Sequence, residues 1–282
     1  MSYEHCIRIA QTHYENFPVL SRVLPRRLRP HVAAVYAFAR AADDFADEGV
    51  RSDGHVAHAK SGLAGMRERI EQGRYGGDPV FEALGETIHT FDLPDAPFLD
   101  LLSAFEQDVT KTRYETFDEV LDYCRRSADP VGRLVLMLMG YRDDERFRLS
   151  DRICTALQLA NFWQDVRSDY LDRGRIYIPG TDLRRFGVSE EDMPNAGGPA
   201  ACPALRELID DEVRRTLAMM REGWKLIGRL SWRYRWPVAM FAAGGTTILE
   251  RTRANAPRPT LGDFASRLRL PFEFLKVVWS RS

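Results

Sequence analysis

Cysteine is scarce in this chain, and no charge sign dominates. The four cysteines, Cys6, Cys124, Cys154 and Cys202, are scattered and form no CxxC pair. That spacing excludes a disulfide scaffold and a cysteine-based zinc site, and leaves free thiols in a reducing compartment as the expectation. Lys+Arg number 40 against 41 Asp+Glu, a net charge of −1. A dedicated nucleic-acid binder needs a net basic surface, so no nucleic-acid partner is expected. Long apolar runs are missing too. The longest candidate, Pro237 to Leu249, is short and broken by Gly244, Gly245, Thr246 and Thr247, so no bilayer-spanning helix is expected. Met1-Ser-Tyr-Glu-His lacks the basic segment and apolar run of a secretory leader, and a cytoplasmic location follows as an expectation. Alternating strand patterns are nearly absent, and there is no low-complexity tail and no solenoid repeat.

What is present is helical periodicity over most of the 282 residues. Leu28 to Glu48 reads as a helix whose stripe is Val32, Val35, Tyr36, Ala39 and Ala42. Further helices are expected over Val56–Gln72, Val80–His89 and Pro97–Thr112. Thr116-Phe-Asp-Glu119 has the form of a capping box. Pro130-Val-Gly132 interrupts the helix that follows, and Ser150 is read as the cap of a long helix ending near Asp172. Gly174 to Pro203 is the least regular stretch, of the kind that forms lids or mobile segments. Helices resume over Ala204–Gly223, Trp236–Arg253 and Thr260–Val278. One all-α domain over residues 1–282 is the simplest organisation.

Two acidic clusters interrupt otherwise apolar helices. The first is Arg40-Ala-Ala-Asp43-Asp44-Phe-Ala-Asp47-Glu48; the second is Gln158-Leu-Ala-Asn161-Phe-Trp-Gln164-Asp165-Val-Arg-Ser-Asp169. In each, two aspartates stand four apart: Asp43 with Asp47, and Asp165 with Asp169. Helical geometry stacks such a pair on one face, about 5–6 Å apart. On an open surface their repulsion costs about 0.2–0.5 kcal/mol. In a partly buried cleft of effective dielectric near 20 it rises to about 3 kcal/mol. Fold stability does not favour that placement, whereas a divalent cation removes the repulsion. Carboxylate oxygens and water are the ligands Mg²⁺ prefers. Two such helices facing each other would hold magnesium, bind a diphosphate and make it a better leaving group.

A single such pair is ordinarily a solvated helix face. Two copies, each beside bulky apolar residues (Phe45; Phe162 and Trp163) and each with a basic partner, favour the metal–diphosphate site. Asp43, Asp47, Asp165 and Asp169 are the metal candidates, with Asp44 either a group supporting the ligands from behind or a salt-bridge partner of an arginine. Arg40, Arg173 and Arg175 are either phosphate ligands or ordinary ion pairs. Glu86-Thr-Ile-His89 has the ExxH form of di-iron bundles, but that site needs a second ExxH and the sequence has none.

The motifs resemble those of the squalene/phytoene synthases, all-α enzymes that couple prenyl chains head to head. Tyr36-Ala-Phe-Ala-Arg40-Ala-Ala-Asp43-Asp44 is similar to the family's first aspartate motif. Asn161-Phe-Trp-Gln164-Asp165-Val-Arg-Ser-Asp169, followed by Arg173-Gly-Arg175-Ile-Tyr177, is similar to its second. The resemblance covers nearly the whole chain. It implies a single-domain isoprenoid synthase (class I terpenoid synthase) bundle around a central cavity. It implies Mg²⁺ held by the four aspartates, and a prenyl diphosphate bound by His13, Tyr36, Arg40, Asp44, Gln158, Asn161, Arg173, Arg175 and Tyr177. Tyr123 would border the reacting carbons, with a core tyrosine as the plainer alternative. His13 is equally read as a core or surface histidine.

Within the family, Tyr14-Glu-Asn-Phe-Pro-Val19 and Asn-Phe-Trp-Gln-Asp resemble the bacterial hydroxysqualene synthases of hopanoid-type pathways. The implied reaction ionises presqualene diphosphate, rearranges the cation and captures it with water. Presqualene diphosphate, squalene and phytoene synthases, which condense two prenyl diphosphates, are the alternatives. Gly245 stands where an aromatic is expected in the phytoene and squalene branches, and a larger cavity would follow from it. A lipid product also implies peripheral contact with a membrane surface, the inner membrane for a bacterial enzyme. The Trp232-Arg-Tyr-Arg-Trp236 run is a candidate for that contact, or else a buried aromatic cluster.

Overall fold

The computed structural model describes residues 2–12, 24–47 and 53–254. Among them the chain is helical, and the one extended pairing is an isolated parallel bridge between Arg113 and Ile176. The helices are α1 (Ser2–Thr12), α2 (Arg29–Asp47), α3 (Asp53–Glu71), α4 (Pro79–Phe91), α5 (Ala96–Asp108), α6 (Phe117–Ser127) and α7 (Asp129–Leu138). Then come α8 (Asp144–Arg173), α9 (Gly180–Phe186), a 3₁₀ turn (Glu190–Asn195), α10 (Pro203–Gly223), α11 (Lys225–Arg229) and α12 (Trp232–Arg253). The expected Thr260–Val278 helix lies outside the described residues.

The chain groups into two compact units. One comprises Met1–Lys111 with Arg125–Phe147; the other comprises Thr112–Cys124 with Arg148–Ser282. In the first, α2 packs against α1, α3, α4, α5 and α7. Its inner face is built from small residues, Ala33, Ala34, Ala37 and Ala42, around Phe38, all fully buried. Alanine lets neighbouring helices approach closely. Phe38 then meets Phe81 and Phe98 edge-to-face at 5.9 and 5.5 Å, the arrangement the ring quadrupole favours. Tyr3 Oη, His31 Nδ1 and Thr87 Oγ1 lie within 3.1 Å of one another and tie α1, α2 and α4 together. Asp78 caps α4 by accepting from the amides of Val80 and Phe81, with Pro79 in the first turn.

In the second unit α8 is the long central element. Glycines set two of its contacts. A Cβ on Gly223 of α10 would stand 2.6 Å from Ile153 Cγ1 and 3.0 Å from the Ile153 amide. One on Gly245 of α12 would stand 2.5 Å from Leu157 Cδ2 and 2.8 Å from Met220 Cε. The absence of a side chain at Gly245 is therefore used up by helix packing, and the expected enlargement of a cavity there is not found.

Several local expectations are corrected. Ser150 does not cap α8, which starts at Asp144; the serine is buried within the helix. A serine ahead of an apolar run has the cap signature, but the acids Asp144 and Glu145 already occupy the first turn, where the helix dipole favours them. Thr116 Oγ1 accepts from the Glu119 amide, while Glu119 reaches back to the Glu115 amide, so the capping box is shifted by one residue on its return arm. The irregular Gly174–Pro203 stretch contains α9 and the 3₁₀ turn. α12 begins at Trp232, ahead of Pro237, because Ser231 O accepts from the amides of Tyr234 and Arg235 and closes a first turn that does not use the proline.

Candidate active site

The first acid cluster lies on the last turns of α2. Arg40 sits between its acids, with Nη1 3.2 Å from Asp43 Oδ2 and Nη2 2.5 Å from Asp44 Oδ1. Burial works against the Arg40 charge, but Asp44 and then Asp43 outweigh it and raise the guanidinium pKa. Its Nε is buried without a hydrogen-bond partner among the described residues. The arginine is thus held as a cation and compensates two carboxylates, all three groups about one-third exposed. Asp44 is thus an arginine's ion-pair partner, one of the two readings the sequence left open. Tyr36 lies one turn earlier and is half-buried. Asp47 closes the helix; its side chain lies outside the described set, as does His13 entirely.

The second cluster is on α8 and is set differently. Asp165 is half-buried and lines a cleft of about 530 Å³ together with Trp163, Asp172, Arg206, Asp210 and Arg251. Asp169, one turn on, is buried, and Arg173 Nη1 lies 3.6 Å from its Oδ1. The Arg175 amide donates to Asp169 O at 2.9 Å, where Gly174 turns the chain with φ of +62°. Gln158 is half-buried, Asn161 and Arg173 are exposed, and Arg175 is buried.

Beyond that turn, segments 112–115 and 174–181 run side by side. Ile176 N donates to Thr112 O, Gly180 N to Tyr114 O and Thr181 N to Glu115 O. Arg113 pins the pair by donating to Gly174 O and bridging to Glu190 at 2.7 Å. This pairing brings Tyr177 against Phe162 of α8, stacked at 3.7 Å and 6°. Tyr114 stacks on Tyr177 at 5.4 Å. Tyr123 packs against Tyr114, Phe162 and Tyr177, each at 5.9 Å. All four rings are buried. Such faces stabilise a cation held over them.

Sequence reasoning reached Tyr123 and Tyr177 but missed Tyr114. Its only signal is the short spacing to Tyr123, which the bridge at Arg113 converts into contact. Also missed was a polar network behind α8. Trp163 Nε1 donates to Thr216 Oγ1 at 2.8 Å, and that hydroxyl donates to Glu212 O. Arg215 bonds both Glu212 and Asp182, at 2.5 and 2.8 Å, and covers the Phe117 ring at 3.7 Å. Burial pushes the Glu212 carboxyl up to about 8; Arg215 pulls against this and Asp182 adds to it.

Among the described residues no group of three or more His, Cys, Asp or Glu side chains is gathered as a metal cage. The donor chemistry nevertheless fits Mg²⁺. Asp43 and Asp165 offer hard oxygens at partly exposed positions, where water would complete the coordination shell of a bound Mg²⁺. Glu86 and His89 are exposed, which agrees with setting the di-iron motif aside.

Two acid-bearing helices, one of which gives Phe162 to a buried aromatic cluster, in a chain that is helical through its described residues, are the features of a prenyl-transferring enzyme of the isoprenoid synthase class. The squalene/phytoene synthase family matches residues 10–273, and the chain belongs to it. It is 34% identical to the hydroxysqualene synthase of Rhodopseudomonas palustris over 95% of this chain and 88% of that protein. It is 37% identical to that of Zymomonas mobilis over 73% and 68%. Among solved structures, squalene synthase HpnC from Alicyclobacillus acidocaldarius superposes with a TM-score of 0.81 at 42% identity, covering 91% of this chain and 95% of that one. A ligand-bound dehydrosqualene synthase gives 0.86 at 25% identity over 99% and 97%. The family is generally divalent-metal dependent.

Proposed function

We propose that this chain is a hydroxysqualene synthase working as one catalytic domain. It converts presqualene diphosphate and water into hydroxysqualene and diphosphate. The observation that carries this is the match across nearly the full length to hydroxysqualene synthases, and the acid pairs Asp43/Asp47 and Asp165/Asp169 in the sequence support it. Asp43, Asp47, Asp165 and Asp169 would hold Mg²⁺, which when bound neutralises charge on the leaving diphosphate. Arg40, Arg173 and Arg175 bind its oxygens, with His13, Tyr36, Asp44, Gln158 and Asn161 completing the polar end. For Arg40 this requires exchanging its aspartate partners for phosphate.

Heterolysis of the C–O bond leaves a cyclopropylcarbinyl cation. Tyr114, Tyr123, Phe162 and Tyr177 present ring faces to the positive charge as it migrates. Their burial keeps bulk water away until rearrangement is complete. Water then adds its oxygen to the allylic cation and loses one proton. No hydride donor enters this balance. A cytoplasmic enzyme in peripheral contact with the inner membrane fits an apolar product.

The test is incubation of purified protein with presqualene diphosphate and Mg²⁺, with and without NADPH, in heavy-oxygen water. Hydroxysqualene carrying the heavy isotope, formed without NADPH and lost on chelation, is the expected product. Squalene formed only with NADPH would contradict the proposal. Turnover of farnesyl diphosphate alone would identify a condensing enzyme instead.

A further inference from the structure

The start of α12 carries a surface that neither the fold nor the proposed reaction uses. Trp232 is 72% exposed and Trp236, one turn on along the same face, is 37% exposed. Met240 continues that line half-buried, while Tyr234 between them is buried. The expected alternative, a wholly buried aromatic cluster, is thus split: Tyr234 belongs to the core and the two tryptophans do not. Exposing a large indole to water is unfavourable, and two in register on one helix face are uncommon on a surface that meets only solvent.

Along the chain on either side of the tryptophans the charge has one sign. No acid occurs between Glu222 and Glu250, whereas Lys225, Arg229, Arg233 and Arg235 do. Glu222 itself is bridged by both Arg148 and Arg152, at 2.5 and 3.1 Å. Lys225, Arg229 and Arg233 are exposed, and the Arg233 guanidinium lies 5.7 Å from the Trp232 ring. A chain of net charge −1 has therefore gathered cations around the most exposed aromatics among its described residues.

We infer that this face docks on an anionic lipid surface. Indoles settle at the boundary between headgroups and acyl chains, and flanking Lys and Arg pair with lipid phosphates. The charge complementarity selects acidic lipid over neutral lipid. The inference goes beyond the proposed reaction and does not depend on it, because vesicle binding needs no turnover.

The experiment sediments the full chain with phosphatidylcholine vesicles and with vesicles containing phosphatidylglycerol, at low and high salt. The acidic vesicles are expected to bind at least about tenfold more tightly, with the difference shrinking in salt. Arg233→Ala weakens binding about fivefold, as expected for one cation near a charged membrane. The double variant Trp232→Ala/Trp236→Ala weakens it about tenfold or more, and brominated lipid quenches the native protein's fluorescence more than the variant's. Val131→Ser, at an exposed apolar site elsewhere, leaves binding unchanged. Unchanged helical circular dichroism confirms that each variant folds. Undiminished vesicle binding by the double tryptophan variant overturns the inference. So does a lipid-free dimer that Trp232→Ala dissolves, which would assign the face to a second copy. Binding that emerges only after removal of residues 255–282 also overturns it, since the chain's own end would then be the occupant.

Discussion

The two acid-bearing helices carry the same four-residue aspartate spacing in opposite settings. On α2, Arg40 answers Asp43 and Asp44 from within the same two turns, and all three groups are partly exposed. On α8, which gives Phe162 to the four-ring aromatic cluster, Asp169 is buried and Asp165 opens onto a cleft. The helix behind them is locked by Trp163, Thr216 and the close approach at Gly223. One motif is thus carried on a face whose counter-charge is local and exchangeable. The other is carried on a helix whose rotation is fixed by its neighbours. Under the proposed function the two pairs share one ligand, and their surroundings decide which helix adapts and which stays rigid.

The largest expected effect removes a carboxylate charge from the rigid helix. Asp165→Asn should lower kcat by about a hundred- to a thousandfold, the cost of one misplaced electrostatic group at a reacting centre, with the melting temperature kept. Steady-state turnover together with thermal melting checks it. Asp43→Asn should fall in the same range, and a much smaller loss there would make the two helices unequal partners. Next in size, Gly223→Ala should destabilise the chain by about 1–3 kcal/mol through overpacking against Ile153, read by urea unfolding.

A smaller effect sharpens the contrast behind α8. The Glu212 carboxyl is raised from 4.5 to about 8 in the folded chain. Between those values the folded protein holds a proton that the unfolded chain has released. Stability should therefore be greatest at the acid end and fall as pH rises toward about 8. Glu212→Gln should flatten that slope, measured as melting temperature against pH; an unchanged slope would show that Glu212 ionises normally. The smallest effect is at Arg173→Met. An exposed guanidinium 3.6 Å from its partner contributes about 0–1 kcal/mol to stability, so melting should hardly move while KM rises.

Much of this was legible in the sequence, for identifiable reasons. Apolar residues recurring at helical period located α2 and α8, and the spacing of Asp43 with Asp47 and of Asp165 with Asp169 put like charges on one face. Boundaries were less legible where a residue has two uses. Ser150 resembles a cap but fills the core, and Pro237 resembles a helix start but sits inside one. The aromatic cluster was half visible, because Tyr114 meets Tyr177 only through the pairing of two segments far apart in sequence. The Trp163–Thr216–Glu212 network left no local signal, since Trp163 stands on α8 while Thr216 and Glu212 stand on α10.

The account rests on both acid-bearing helices acting on one diphosphate. Calorimetric titration of pyrophosphate, with and without Mg²⁺, into the native protein and the Asp43→Asn and Asp165→Asn variants tests this most directly. The account predicts magnesium-dependent binding to the native chain that either substitution weakens about tenfold or more. Full magnesium-dependent binding retained by either variant would contradict it.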